Sequence, residues 1–181
     1  MPIGSSVGDE HLKRFIRVTN ELSAEYSEQL EGWKDSPFRW ILALPSRTRG
    51  AVGEKIVAEW LKSNGCTISR SLHSGCDRII NGINMEIKFS TRWKSGGYTF
   101  QQLRDQDYEY VFCLGLSPND AHAWLIPKAI AWQHATPQHG GKEGKDTKWL
   151  SFPADSPPAW LAPYGGSLAA VLDLVPRLGK A

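Results

Sequence analysis

The chain has 181 residues, 41% of them hydrophobic and 22% charged, with 17 Gly, 11 Pro and 8 Trp. That composition supports one domain with a substantial core and excludes both dominant disorder and two full-sized domains. The formal net charge of +2, taken whole, does not call for a polyanionic partner.

From Glu10 to about Leu30 apolar residues recur at three-and-four spacing (Leu12, Phe15, Ile16, Leu22, Tyr26, Leu30), which predicts an amphipathic helix. Gly32 and Asp35-Ser-Pro37 end it, and Phe38 to Leu44 is an apolar segment of ambiguous type. Ser46 is read as the N-cap of a helix that runs through Val57 and Leu61 and stops at Asn64-Gly65. The period then falls to two. Strands are expected at 66–70, 77–80 and 83–89, the last two joined by the hairpin signal Asn81-Gly82. Within 83–89, alternation puts Ile83, Met85, Ile87 and Phe89 on one face, with Glu86 and Lys88 on the other. Residues 91–99 read as a mobile basic loop and 100–106 as a short helical turn. A buried strand at 108–116, a turn at 117–120, a strand at 121–126 and a helix opened by Pro127 follow. Beyond them come a Gly/Lys loop (136–148), a Pro-rich stretch (152–163) and a last short helix (167–174). This order implies a mixed sheet flanked by helices. The whole is one domain: a helical extension (1–45), a core (46–135) and an irregular C-terminal extension (136–181).

The charge is segregated along the chain. Residues 1–45 and 105–181 each carry −2, whereas 46–104 carry ten basic and four acidic side chains. From Ile87 to Arg104 there is no acid, the local excess expected of a phosphate-contacting surface. Cys66, Cys76 and Cys113 form no close metal-ligand pair, and Cys66, His73 and Cys76 match no common zinc spacing. With no signal-peptide pattern and no apolar run that could span a bilayer, the expectation is a reduced, cytoplasmic protein without membrane contact.

Three of the four acids in the basic centre are placed for chemistry. Asp77 opens one hairpin arm and Glu86-Ile-Lys88 lies on the other, so the turn brings two carboxylates nearly opposite. Like charges so close call for a cation between them, and oxygen ligands suit Mg²⁺. Asp77, eight intervening residues, then Glu86-Ile-Lys88, after a helix bearing Glu54, resembles the PD-(D/E)XK nucleases, a superfamily that includes many type II restriction endonucleases. The likeness spans about 46–134 and departs from the named motif in having Cys76, not Pro, before Asp77. It implies a central four-stranded mixed β-sheet flanked by helices, with Asp77, Glu86 and Glu54 as metal ligands and Lys88 as the catalytic lysine. It also implies double-stranded DNA as substrate, Mg²⁺ as cofactor and a homodimer that cuts both strands, most simply a sequence-specific restriction enzyme. A structure-specific repair nuclease or a non-catalytic DNA-binding protein on the same fold are the alternatives.

Further DNA contacts are expected from Arg92, Trp93, Lys94, Gln101, Gln102, Arg104, Lys142 and Lys145. Trp93, between two cations, either stacks on a base or is an ordinary surface residue. Gln101 and Gln102 either hold a water or a phosphate or form polar surface, and the lysines of 139–148 either close over DNA or solubilise a linker. Gly50-Ala-Val-Gly-Glu-Lys55 lacks the spacer and the Ser/Thr of a phosphate loop. Gly50 and Gly53 are read as small residues that let their helix approach the sheet. Trp60, Trp124 and Trp132 are expected in the core.

Overall fold

The computed structural model describes residues 6–138 and 147–177, with side chains at 10–23, 30–138 and 147–176. Three helices come first: α1 (Ser6–Glu31), the short α2 (Arg39–Leu42) and α3 (Ser46–Ser63). In α3 the capping position falls on Pro45 and Ser46 is the first helical residue, so the helix starts one residue earlier than a Ser46 cap implies. Gly65, at φ 86°, takes the left-handed conformation that ends α3.

The predicted meander follows as β1 (Ile68–Arg70), β2 (Arg78–Ile80) and β3 (Ile83–Thr91). Asn81 (φ 51°) and Gly82 (φ 86°) form the turn between β2 and β3, the two positive φ values that a tight hairpin needs. β5 (Tyr110–Ser117) runs parallel to β3, and β6 (Asp120–Pro127) returns antiparallel to β5. The main sheet therefore has five strands, in the order β1-β2-β3-β5-β6, and not the expected four. The extra member is β1, a three-residue edge strand paired with an equally short β2.

A second sheet was not anticipated. β4 (Gly97–Leu103), β7 (Thr136–Gln138) and β8 (Thr147–Pro153) form it in the order β4-β8-β7. The helical turn expected at 100–106 and the loop at 136–148 are thus partly strand. A bulge between Phe100 and Leu103, with Gln102 at φ 58°, breaks the alternation that would have marked β4. Of the segment expected as a loop at 91–99, Thr91 ends β3 and Gly97 opens β4, and 92–96 is a tight turn closed by Trp93 N–H donating to Gly97 O and Gly96 N–H to Trp93 O, each at 2.9 Å.

The five-stranded sheet is the middle layer. On one face Met85, Ile87, Phe112, Leu114 and Leu125 pack against Val57 and Leu61 of α3 and Val171 of α5 (Leu168–Leu174). On the other, Val111, Cys113, Trp124 and Ile126 meet Tyr98, Phe100, Leu150 and Phe152 of the second sheet. The C-terminal stretch is therefore structural and not an irregular appendage. α4 (Lys128–His134) starts after Pro127 as expected. Trp124 is fully buried, while Trp60 and Trp132 lie at the margins of the cores.

Gly53 faces β3 so closely that a Cβ there would stand 2.3 Å from Phe89 Cγ, whereas a Cβ on Gly50 would meet nothing within 4 Å. Only Gly53 serves the close approach expected of both. In contrast to α3, every described residue of α1 from Glu10 to Ser23 is exposed, including Leu12, Phe15, Ile16 and Leu22. Among the described residues no helix is long and apolar enough to cross a membrane.

Candidate active site

The site exists because β2 is short. Its ladder with β3 ends at Arg78↔Met85, so from Glu86 onward that edge of β3 has no strand beside it. Asp77 closes the gap in two ways. Its N–H donates to Met85 O at 3.0 Å, and its Oδ2 accepts from Ile87 N–H at 2.7 Å, replacing the next ladder bond with a side chain. The near-opposition of Asp77 and Glu86 read from the hairpin is the result.

Glu86 and Lys88 pair in register with Val111 and Cys113, so their side chains look toward the second sheet and not into water. The Glu86 and Lys88 side chains are 7% and 17% exposed, and Lys88 Nζ lies 2.6 Å from Glu86 Oε1. Burial pushes the Glu86 carboxyl above the ordinary glutamate range; Lys88 opposes this, and Asp77 adds to the rise through its charge and a hydrogen bond. Glu54, reaching in from α3, is also raised, by burial first and then by the charge of Asp77. Its Oε2 stands 3.9 Å from Arg78 Nη2, and Arg78 Nη1 donates to Asp77 O at 2.6 Å. Three acids, Lys88 and Arg78 thus share one electrostatic neighbourhood.

Among the described residues no three His, Cys, Asp or Glu side chains are placed to hold a metal ion together. Asp77 and Glu86 are the available pair, and Glu54 stands beside them, held by Arg78. The donor set nonetheless suits a hard cation: two carboxylates in contact, one of them buried and resisting ionisation, are relieved by a positive ion that takes oxygen ligands.

Other predicted residues are dispersed. Arg92 forms a two-bond ion pair with Asp155, Nη1 to Oδ1 at 2.8 Å. Trp93 is 50% exposed at the tip of the turn, with Lys94 exposed beside it. Gln101 is half-buried and Gln102 exposed in the β4 bulge, and Arg104 is exposed just past the strand. Strand residues 97–100 lie between the turn and the bulge, so the two groups stand about 13 Å apart along β4. Lys142 and Lys145 lie outside the described residues.

Two neighbours escaped sequence reading. Arg78, immediately after Asp77, was counted as charge but its link to Glu54 needs α3 in place. Tyr108, in sequence no more than the start of a buried strand, donates its hydroxyl to Arg104 O at 2.8 Å, and that hydroxyl is pushed up by burial first and then by Glu86. Two histidines are held by aromatic neighbours: His122 Nδ1 lies 2.8 Å from Tyr98 Oη, and His134 stacks on Trp160 at 3.9 Å. The three cysteines are free.

No protein-family model and no curated protein matches the chain. Among solved structures, a bacterial homing endonuclease, I-Ssp6803I, is similar with a TM-score of 0.49 and 12% identity, covering 75% of this chain and 97% of that one, a loose overlap that leaves function to the site's own residues.

Proposed function

We propose that the protein is a Mg²⁺-dependent endodeoxyribonuclease that hydrolyses phosphodiester bonds in double-stranded DNA, with sequence-specific restriction cleavage as its role. The observation that carries this reading is the gathering of Asp77, Glu86 and Lys88 at the open edge of β3, with Glu86 buried against its ordinary preference for water. A polar cluster of that kind costs stability and persists where its chemistry is used.

Asp77 and Glu86 would hold the metal, and Glu54 adds a third negative charge within reach. When bound, Mg²⁺ supplies charge neutralisation at the phosphoryl oxygens and makes water a better nucleophile. Lys88 Nζ, fixed by Glu86 Oε1, orients a water toward the phosphorus and offsets negative charge building on the scissile phosphate. Arg78 anchors Glu54 and the Asp77 backbone, so the acids keep their places when the phosphate arrives. Cutting both strands requires two such sites, which a two-fold dimer provides, and the exposed apolar stripe of α1 is the surface offered for it.

The test is incubation with several long DNAs in Mg²⁺, Ca²⁺ or EDTA. Discrete fragments in Mg²⁺ alone, lost in Glu86→Ala and Lys88→Ala, are expected. Cleavage unchanged in both variants overturns the assignment; cutting of branched DNA without regard to sequence replaces restriction with repair, and tight binding without hydrolysis leaves a DNA-binding protein.

A further inference from the structure

A groove of about 290 Å³ lies between α3 and the edge strands β1 and β2, on ground none of the candidate residues above occupies apart from Arg78. Lys55 and Lys62, seven residues apart on α3, form one wall, and Arg70 and Arg78 form the other. Glu59 is the only acid lining it. Arg70 and Arg78 are direct cross-strand partners, an arrangement in which like charges repel on one face of a ladder. Lys55, Lys62 and Arg70 form no ion pair among the described residues, and the ion pair that Arg78 forms there is with Glu54, at 3.9 Å.

An edge strand can be guarded against pairing by charge of either sign. Protection alone therefore does not account for four cations facing one another around a single acid. Converging, unneutralised cations on a concave surface are what a polyanion's phosphates require. The groove is also continuous with the site, because Arg78 lines it and touches both Glu54 and the Asp77 carbonyl.

The geometry points to a backbone-binding groove: Lys55, Lys62 and Arg70 take the phosphates of a nucleic-acid strand as it leaves the Asp77–Glu86 site, with Arg78 as the junction. This rests on the nuclease reading and adds to it a track that reads no bases and fixes the strand's path. Tight cleavage would then depend on phosphates lying to one side of the scissile bond.

The test is duplex binding in Ca²⁺ across a salt series, comparing the wild type with the triple variant Lys55→Gln, Lys62→Gln, Arg70→Gln. A control variant, Arg14→Gln, Arg17→Gln, Lys34→Gln, removes the same charge from α1 and the turn after it. All six side chains are exposed, so both variants should fold, and thermal unfolding checks this. The groove variant is expected to bind more weakly, with the slope of log K against log salt shallower by about one for each phosphate contact removed, about three in all. The control should keep the wild-type slope. If the wild type binds DNA and the groove variant matches it, or if the control loses as much, the groove assignment is overturned while the nuclease reading stands. If the wild type binds no DNA but gains thermal stability from inorganic phosphate and the groove variant does not, the strand assignment and the nuclease reading both fall, leaving a site for free phosphate.

Discussion

Gly50 and Gly53 sit one turn apart on α3 and make a matched pair for testing how that helix is docked. Replacing an interior helical Gly by Ala lowers the entropy lost on folding and gains about 0.5–1 kcal/mol where space allows. At Gly50 a Cβ meets nothing within 4 Å, so Gly50→Ala should realise that gain. A chain of this size shifts about 2–4 °C per kcal/mol, and its melting temperature should rise accordingly. At Gly53 the new Cβ would lie 2.3 Å from Phe89 Cγ and 2.4 Å from Phe89 Cβ, against a comfortable carbon separation of about 3.5–4.0 Å. Because the Cβ of Phe89 is fixed to β3, rotating the ring cannot relieve the overlap, and the helix must move away. Overpacking of this kind costs about 1–3 kcal/mol, so Gly53→Ala should be destabilised on balance despite its better helix propensity. The same displacement carries Glu54 away from Asp77 and Glu86, and a shift near 1 Å can lower a catalytic rate by about 100-fold. Urea unfolding and cleavage rate, measured on both variants, separate the two effects. A Gly53→Ala protein as stable as Gly50→Ala would refute the close packing of α3 on β3.

The raised carboxyl of Glu86 makes the folded, metal-free protein hold its proton more tightly than the unfolded chain, so stability should fall as pH rises from the ordinary glutamate value of 4.5 toward the folded value. Glu86→Gln should flatten that decline and melt above the wild type at neutral pH while losing cleavage; an equal slope in both proteins argues against the buried charge. Millimolar Mg²⁺ should raise the wild-type melting temperature, since only the folded chain presents the paired carboxylates, and should leave an Asp77→Asn, Glu86→Gln double variant unmoved; equal shifts in both would place the metal elsewhere. Trp93→Ala should leave stability within about 0.5 kcal/mol, the side chain being half exposed, yet weaken DNA binding by about 1–3 kcal/mol if the indole stacks on a base; unaltered affinity would make it plain surface. Phe15→Glu with Leu22→Glu should convert a dimer to monomers in sedimentation without loss of secondary structure, and a dimer that persists would exclude α1 as its contact.

The parts of the fold legible in the sequence are those made by neighbours. Asn81-Gly82 sets the β2–β3 register, alternation along Ile83–Phe89 sorts the faces, and together they put Asp77 opposite Glu86 before any coordinates are known. What stayed hidden is non-local. β4 pairs with a strand some fifty residues away, as Phe100↔Leu150 shows, and Gln101 and Gln102 interrupt its periodicity with a bulge. The edge position of β1 likewise depends on the sheet and not on Ile68–Arg70 themselves. Composition revealed the basic centre, but which cations are neutralised could not be read: Arg92 is taken by Asp155, sixty-three positions on, whereas Lys55, Lys62 and Arg70 form no ion pair among the described residues.

That Arg92–Asp155 pair bears on the order in which the protein comes into being. The turn after the Glu86/Lys88 strand is held by a residue just beyond β8, and Ala154 N–H donates to Gly96 O at 3.1 Å beside it. During synthesis, the acids and the lysine emerge well before the strand that covers them, and long-range pairing of this type forms slowly. The cluster of Asp77, Glu86 and Lys88 would thus remain unassembled on the ribosome until residue 155 has been made.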